Sequence, residues 1–276
     1  MSDLKALFSG SGASVELPEV PSGRLVWPNA RGLQLRDLPA AERPAYWLSD
    51  GPGSADLWRR LRAMHTVSGL WPLLLQPLRG ERTMPWVAGD VVPGLVDEVG
   101  REDAAEFMRQ AWGEWSADED GEVDPDDDFG YLEPIGRVCP DLAPAGVAGS
   151  SPDMAADRLA GELDDGRTRI GLAASARSAD VLAVVGWMGP INYTDSVSLS
   201  VMLRSWEDRF GVRVVRVGFD TLDVSVAAPP MTEEHALHVA AEHFVFCPDN
   251  IQQGAGTLRE YAKMIKGANS WSFWWD

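Results

Sequence analysis

The chain has 276 residues, of which 45% are hydrophobic and 24% charged, an ordinary globular composition that suits one large domain or two modest ones. Its only cysteines, Cys139 and Cys247, exclude a disulfide framework and favour a reducing compartment. The net charge of −18, the absence of an apolar run near the roughly 20 residues that span a bilayer, and a start (MSDLKALFSG) without a long apolar stretch and cleavage site together predict a cytoplasmic protein with neither membrane nor nucleic-acid partner.

An N-terminal α/β half is expected over residues 1–115. Two runs read as strands, AYWLSD (45–50) and GLWPLLLQPL (69–78), and between them Leu57, Leu61 and Met64 recur at helical spacing. A second helix is predicted at 101–115, with Ala105, Met108 and Trp112 on one face.

A connector follows, over residues 116–153, first acidic and then rich in Pro, Gly and Ala. Between Arg109 and Arg137 the chain carries ten acids and no base, more than half of the net charge. Within it, SADEDGEVDPDD (116–127) puts Asp118, Asp120, Gly121, Asp124 and Asp127 at positions 3, 5, 6, 9 and 12 of a calcium-loop pattern. Position 1 is Ser116, position 12 is not Glu, and FGYLEPIG is a poor exit helix, so a solvated acidic loop is the plainer reading.

A C-terminal α+β domain is expected over residues 154–276. VLAVVGW (181–187) reads as a buried strand. Leu199, Leu203, Trp206 and Phe210 mark a helix over 196–210, with Asp195 as its cap and Gly211 as its stop. VRVVRVGF and TLDVSVAA form a hairpin joined near Asp220. Thr232 caps a helix over EEHALHVAAEHF, and Thr257 with Glu260 forms a capping box for another that carries Leu258, Tyr261, Ala262 and Ile265 inward. WSFWWD (271–276) is the last strand; at a period of two, Trp271, Phe273 and Trp275 face one side and Ser272, Trp274 and Asp276 the other.

This order predicts a ferredoxin-like (split βαβ) sheet with an added helix, packed against the N-terminal α/β half. In that topology the last strand pairs with the first at a sheet edge, where bare aromatic residues invite aggregation. The N-terminal half is therefore expected to pack over or beside that edge.

The segments VVGWMGPINY, LRSWEDRFGVRVVRVGFDTLDVSVAAPPMTEEHALHVAAEHFVFCPDNIQQGAGTL and WSFWWD resemble a bacterial domain-of-unknown-function family, number 4253. The resemblance is dense over residues 181–276, and AYWLSDGPGSADLWRRLRAMHTVSGLWPLLL is similar to the N-terminal part of longer members. The family brings no activity, cofactor or catalytic residue to carry over.

The segment EHFVFCPDNIQQGAGT (242–257) gathers the most chemistry: His243, Cys247, Asp249, Asn250, Gln253 and Thr257. A carboxylate, amides and free N–H groups near a helix start suit a small polar or anionic ligand. The plainer reading is an Asx-type turn at Asp249 and Asn250, a core thiol at Cys247 and a loop hydrogen bond from Gln253. HVAAEH is one residue too long for an inverted zincin motif; His238 and His243 diverge on a helix, and His235 with His238 lacks a third ligand, so no metal is expected. No nucleophile elbow or phosphate-binding loop occurs, and the acids flanking Cys247 disfavour a thiolate. No cofactor is implied and no catalytic residue is assigned. The expected function is a non-catalytic binding module for a protein partner, toxin-neutralising or regulatory, with a basic protein suited to the acidic charge. The alternative is a small-molecule enzyme or ligand-binding protein using the loop around Cys247, Asp249 and Gln253.

Overall fold

The computed structural model describes Leu4, Leu7 and residues 17–28, 43–78, 85–94, 96–115 and 130–276. In the N-terminal half, β1 (Gly23–Val26) pairs antiparallel with β2 (Tyr46–Pro52). Ser54 then caps α1 (Ala55–Ala63) by accepting the Leu57 N–H at 3.2 Å, and the helix buries Leu57, Trp58 and Leu61. A short α2 (His65–Ser68) leads into β3 (Leu70–Leu75), buried at all six positions. The expected strand, helix and strand are all present, yet β2 and β3 are not neighbours. After α3 (Val96–Val99), α4 (Ala104–Trp115) buries Met108, Ala111 and Trp112. The calcium-like loop at 116–127 lies outside the described residues.

The second half opens with α5 (Pro152–Glu162), capped by Ser151, and β4 (Arg169–Ala174). Residues 181–187, expected as a strand, instead contain helix α6 (Val181–Val185), which ends at Gly186. A short apolar run fits a buried helix as well as a buried strand, and here the turn at Ser178–Asp180 leads it into a helix packed on β4 and α7. The remaining elements follow the sequence pattern: α7 (Ser196–Phe210), β5 (Arg213–Val217), β6 (Thr221–Ser225), α8 (Glu233–Phe246), α9 (Leu258–Ile265) and β7 (Ser270–Trp274). Where an Asx-type turn was expected at Asp249 and Asn250, the chain instead forms a π-helical turn at Asn250–Ala255, and the Asp249 side chain makes no capping bond to it. Gly211 ends α7 at φ 61°, where a Cβ would stand 2.9 Å from Pro152 Cγ and 3.0 Å from Ala227 Cβ, so both conformation and space require glycine.

Among the described residues the strands form one sheet, ordered β1-β2-β4-β3-β5-β6-β7. All pairs are antiparallel except β3 with β5. The fold is thus mixed α+β, but its strand order departs from the expected split βαβ unit. The first strand of the C-terminal part is β4, β3 separates it from β5, and β7 pairs with β6. The physical reason lies in LWPLLL: a strand apolar on both faces needs neighbours on both edges and cover on both sides, so it takes a central position. Among the described residues, β1 and β2 of the N-terminal half lie at the end of the sheet opposite β7.

Helices α1 and α5 pack on each other, with α1 against β3 and α5 against β5 and β6. The aromatic face of β7 meets the other helical group. Phe273 and Trp271 pair across the ladder with Leu222 and Val224. Trp206 of α7 stacks on Phe273 at 5.6 Å and meets Trp271 at 5.5 Å, Phe246 at 4.7 Å and His243 at 4.8 Å. The alternation expected for β7 holds: Trp271, Phe273 and Trp275 are buried, while Ser272 and Trp274 are exposed.

Candidate functional site

α8 carries His243 inward, and the chain then turns sharply through Cys247, Pro248 and Asp249 before the π-helical turn. The turn brings five of the six predicted residues into one hydrogen-bonded network beside β7. His243 is fully buried, with its ring 4.4 Å from Trp271 and 4.9 Å from Phe273. Its Nδ1 lies 3.0 Å from Tyr261 Oη, which accepts from Asn250 Nδ2 at 3.0 Å. The other His243 nitrogen, Nε2, is buried and without a hydrogen-bond partner. Burial foremost, then the nearby Arg209 cation, holds the His243 pKa well below the usual imidazole value.

Asn250 uses its whole side-chain amide. Its Nδ2 donates to Tyr261 Oη and to the Ser272 carbonyl at 2.8 Å. Its Oδ1 accepts from the Trp274 N–H at 3.2 Å and lies 3.5 Å from Cys247 Sγ. Cys247 is buried, and its thiol donates to the Trp274 carbonyl at 2.9 Å. Burial pushes that thiol up to about 12, so at neutral pH it is a donor and not a thiolate nucleophile. Asp249 accepts from Gln253 Nε2 at 2.7 Å and from the Asp276 N–H at 2.9 Å. Thr257 stands apart as the α9 cap, accepting from the Glu260 N–H at 3.1 Å.

Groups that the sequence reading did not join to this segment complete it. Tyr193, in the loop before α7, bonds Asp249 through its hydroxyl; burial and then Asp249 raise that hydroxyl to about 12. Trp187 donates to the Gly218 carbonyl at 2.9 Å, and the Trp275 N–H donates to the Asp220 carbonyl at 3.0 Å. The NYTD and GFDTL connections therefore meet at the same end of β7, which their sequence positions did not reveal.

Glu242, next to His243, is fully buried and paired twice with Arg209, at 2.6 and 2.8 Å. The Trp206 indole and the Ala143 N–H also donate to it, each at 2.7 Å. His235 and His238 turn to the Pro144 and Glu234 carbonyls, at 2.8 and 3.0 Å. A surface cleft of about 590 Å³ lies beside the loop, lined by Gly130, Tyr131, Gln252, Gly256 and Thr257.

These features define a mixed α+β protein built on one sheet, with no helix among the described residues long and apolar enough to cross a membrane. Residues 169–276 match the family described as Domain of unknown function (DUF4253). No curated protein and no solved structure matches the chain.

Proposed function

We propose that the protein is a non-catalytic binding module, cytoplasmic, whose partner is a basic protein. The observation that carries this reading is the engagement of His243 Nδ1, Cys247 Sγ, Asp249 and Asn250 in bonds to β7, Tyr261 and neighbouring loops, which leaves those groups without a reacting atom to act on. Charge supports the choice of partner: ten acids without a base between Arg109 and Arg137 form a concentrated negative field. Toxin neutralisation and regulation both suit such a module.

The test is affinity capture from the source cell, at low salt and at about 1 M salt, where the screening length falls from roughly 10 Å at 0.1 M to roughly 3 Å. Wild-type protein should retain a basic protein at low salt and release it at high salt. A variant with the acids at 118–128 changed to Asn and Gln should not retain it. A stoichiometric small molecule seen by native mass spectrometry, with no salt-sensitive protein partner, would overturn the reading. It would favour instead a ligand held in the cleft of Tyr131, Gln252, Gly256 and Thr257 beside the Cys247, Asp249 and Gln253 loop.

A further inference from the structure

We propose that residues 247–250 act as an eighth strand made of side chains, whose role is to keep β7 from pairing with the β7 of a second copy of this chain. The argument starts from the direction of the β7 backbone groups. The Trp275 N–H turns toward β6 to reach the Asp220 carbonyl. By alternation, the backbone groups of Trp271 and Phe273 also face β6, and those of Ser272, Trp274 and Asp276 face outward, away from the sheet.

Outward groups on an edge strand ordinarily meet water or another strand. Here four of them meet side chains from one short segment. The Ser272 carbonyl takes Asn250 Nδ2, the Trp274 N–H takes Asn250 Oδ1, the Trp274 carbonyl takes Cys247 Sγ, and the Asp276 N–H takes Asp249 Oδ2. The Asn250 amide donates to one residue's carbonyl and accepts from the N–H two residues on. That is the bonding of a residue in a parallel neighbour strand opposite Phe273. His243 and Tyr261 fix the amide in this pose from behind.

A second copy is the partner to be kept off, because residues 270–275, SWSFWW, contain no charge, proline or glycine and are rich in aromatic residues. Short segments of that composition pair with themselves when an edge is open.

Hydrogen exchange on the wild-type protein tests the cover directly. The Trp274 and Asp276 amides should exchange as slowly as the Phe273 amide; exchange as fast as an open edge overturns the proposal without any variant. In Asn250→Ala, the Trp274 amide should exchange at least tenfold faster while Phe273 stays protected. Light scattering should then show self-association at concentrations at least tenfold below any seen for the wild type. Adding Trp274→Pro removes an outward N–H and spares the bonds to β6, so the double variant should return to the wild-type mass. An Asn250→Ala protein with a fast Trp274 amide and an unchanged mass, or a double variant that still associates, would overturn the proposal.

Discussion

Protonating His243 would place a cation among Trp206, Trp271 and Phe273 in a fully buried site. Its pKa is lowered in the folded state, so folding requires the neutral ring. Above the unfolded value of about 6.5 both states are neutral and stability is intact; as pH falls below it, the unfolded chain gains a proton that the fold refuses. Stability should therefore fall by up to about 1.4 kcal/mol per pH unit below roughly pH 6.5. Urea midpoints at pH 7.5, 6.5 and 5.5 would show it, and His243→Gln should flatten the slope; a wild-type slope no steeper than that of the variant would disprove the assignment. Glu242 makes a second case. Removing one member of a buried, bonded ion pair leaves a stranded charge, so Glu242→Ala should cost about 3–5 kcal/mol by urea unfolding. Arg209→Lys, which cannot keep both bonds in one plane, should also destabilise. At this scale the sequence was informative about proximity and silent about partners. His243, Cys247, Asp249, Asn250 and Gln253 stand together because they are neighbours in the chain, whereas Tyr261, Tyr193 and the Trp274 backbone join them only through the fold.

Elements with capping and periodicity were legible. Asp195 accepts from the N–H groups of Val197 and Ser198 at the start of α7, and Thr232 and Thr257 cap α8 and α9, so these three helices were readable from their first turns. Two short elements packed on both sides were not. β4, RIGLAA, is short, carries Gly171 and alternates nothing, because both its faces are covered. α6 is five residues long, less than two turns, too short for a period to declare itself. β7 lies between these cases: its alternation was plain, but its partner β6 and its side-chain cover were not. Deleting residues 271–276 removes Trp271, Phe273 and Trp275 from the core around Trp206, and should leave a protein that binds a hydrophobic dye and melts without cooperativity. A cooperative melt at the wild-type temperature would show that β7 is dispensable.

At the scale of the whole molecule, the sheet ignores the boundary that composition suggests near residue 153. β3 comes from the N-terminal half and lies between β4 and β5 of the C-terminal half, while the family match begins at residue 169, with β4. A fragment of residues 154–276 would carry β4 and β5 with the strand between them missing. It should be expressed as insoluble or loosely collapsed protein, with poor dispersion in a proton NMR spectrum. A fragment that folds and melts cooperatively would establish the C-terminal part as an independent unit. Composition can mark where a chain becomes polar, but it cannot show that a strand on one side of such a stretch pairs with strands on the other.

The central place of β3 also governs the order of events as the chain is made. Leu75 pairs with Arg169 and with Val217, partners that follow it by 94 and 142 residues. At about 5–20 residues per second, a ribosome needs roughly 5–20 s after finishing β3 before its first neighbour exists. For that interval six consecutive buried-type residues, LWPLLL, have both edges open. Contacts so distant along the chain also slow refolding. A strand that helps join the two halves into one sheet is thus exposed and in need of a chaperone during synthesis.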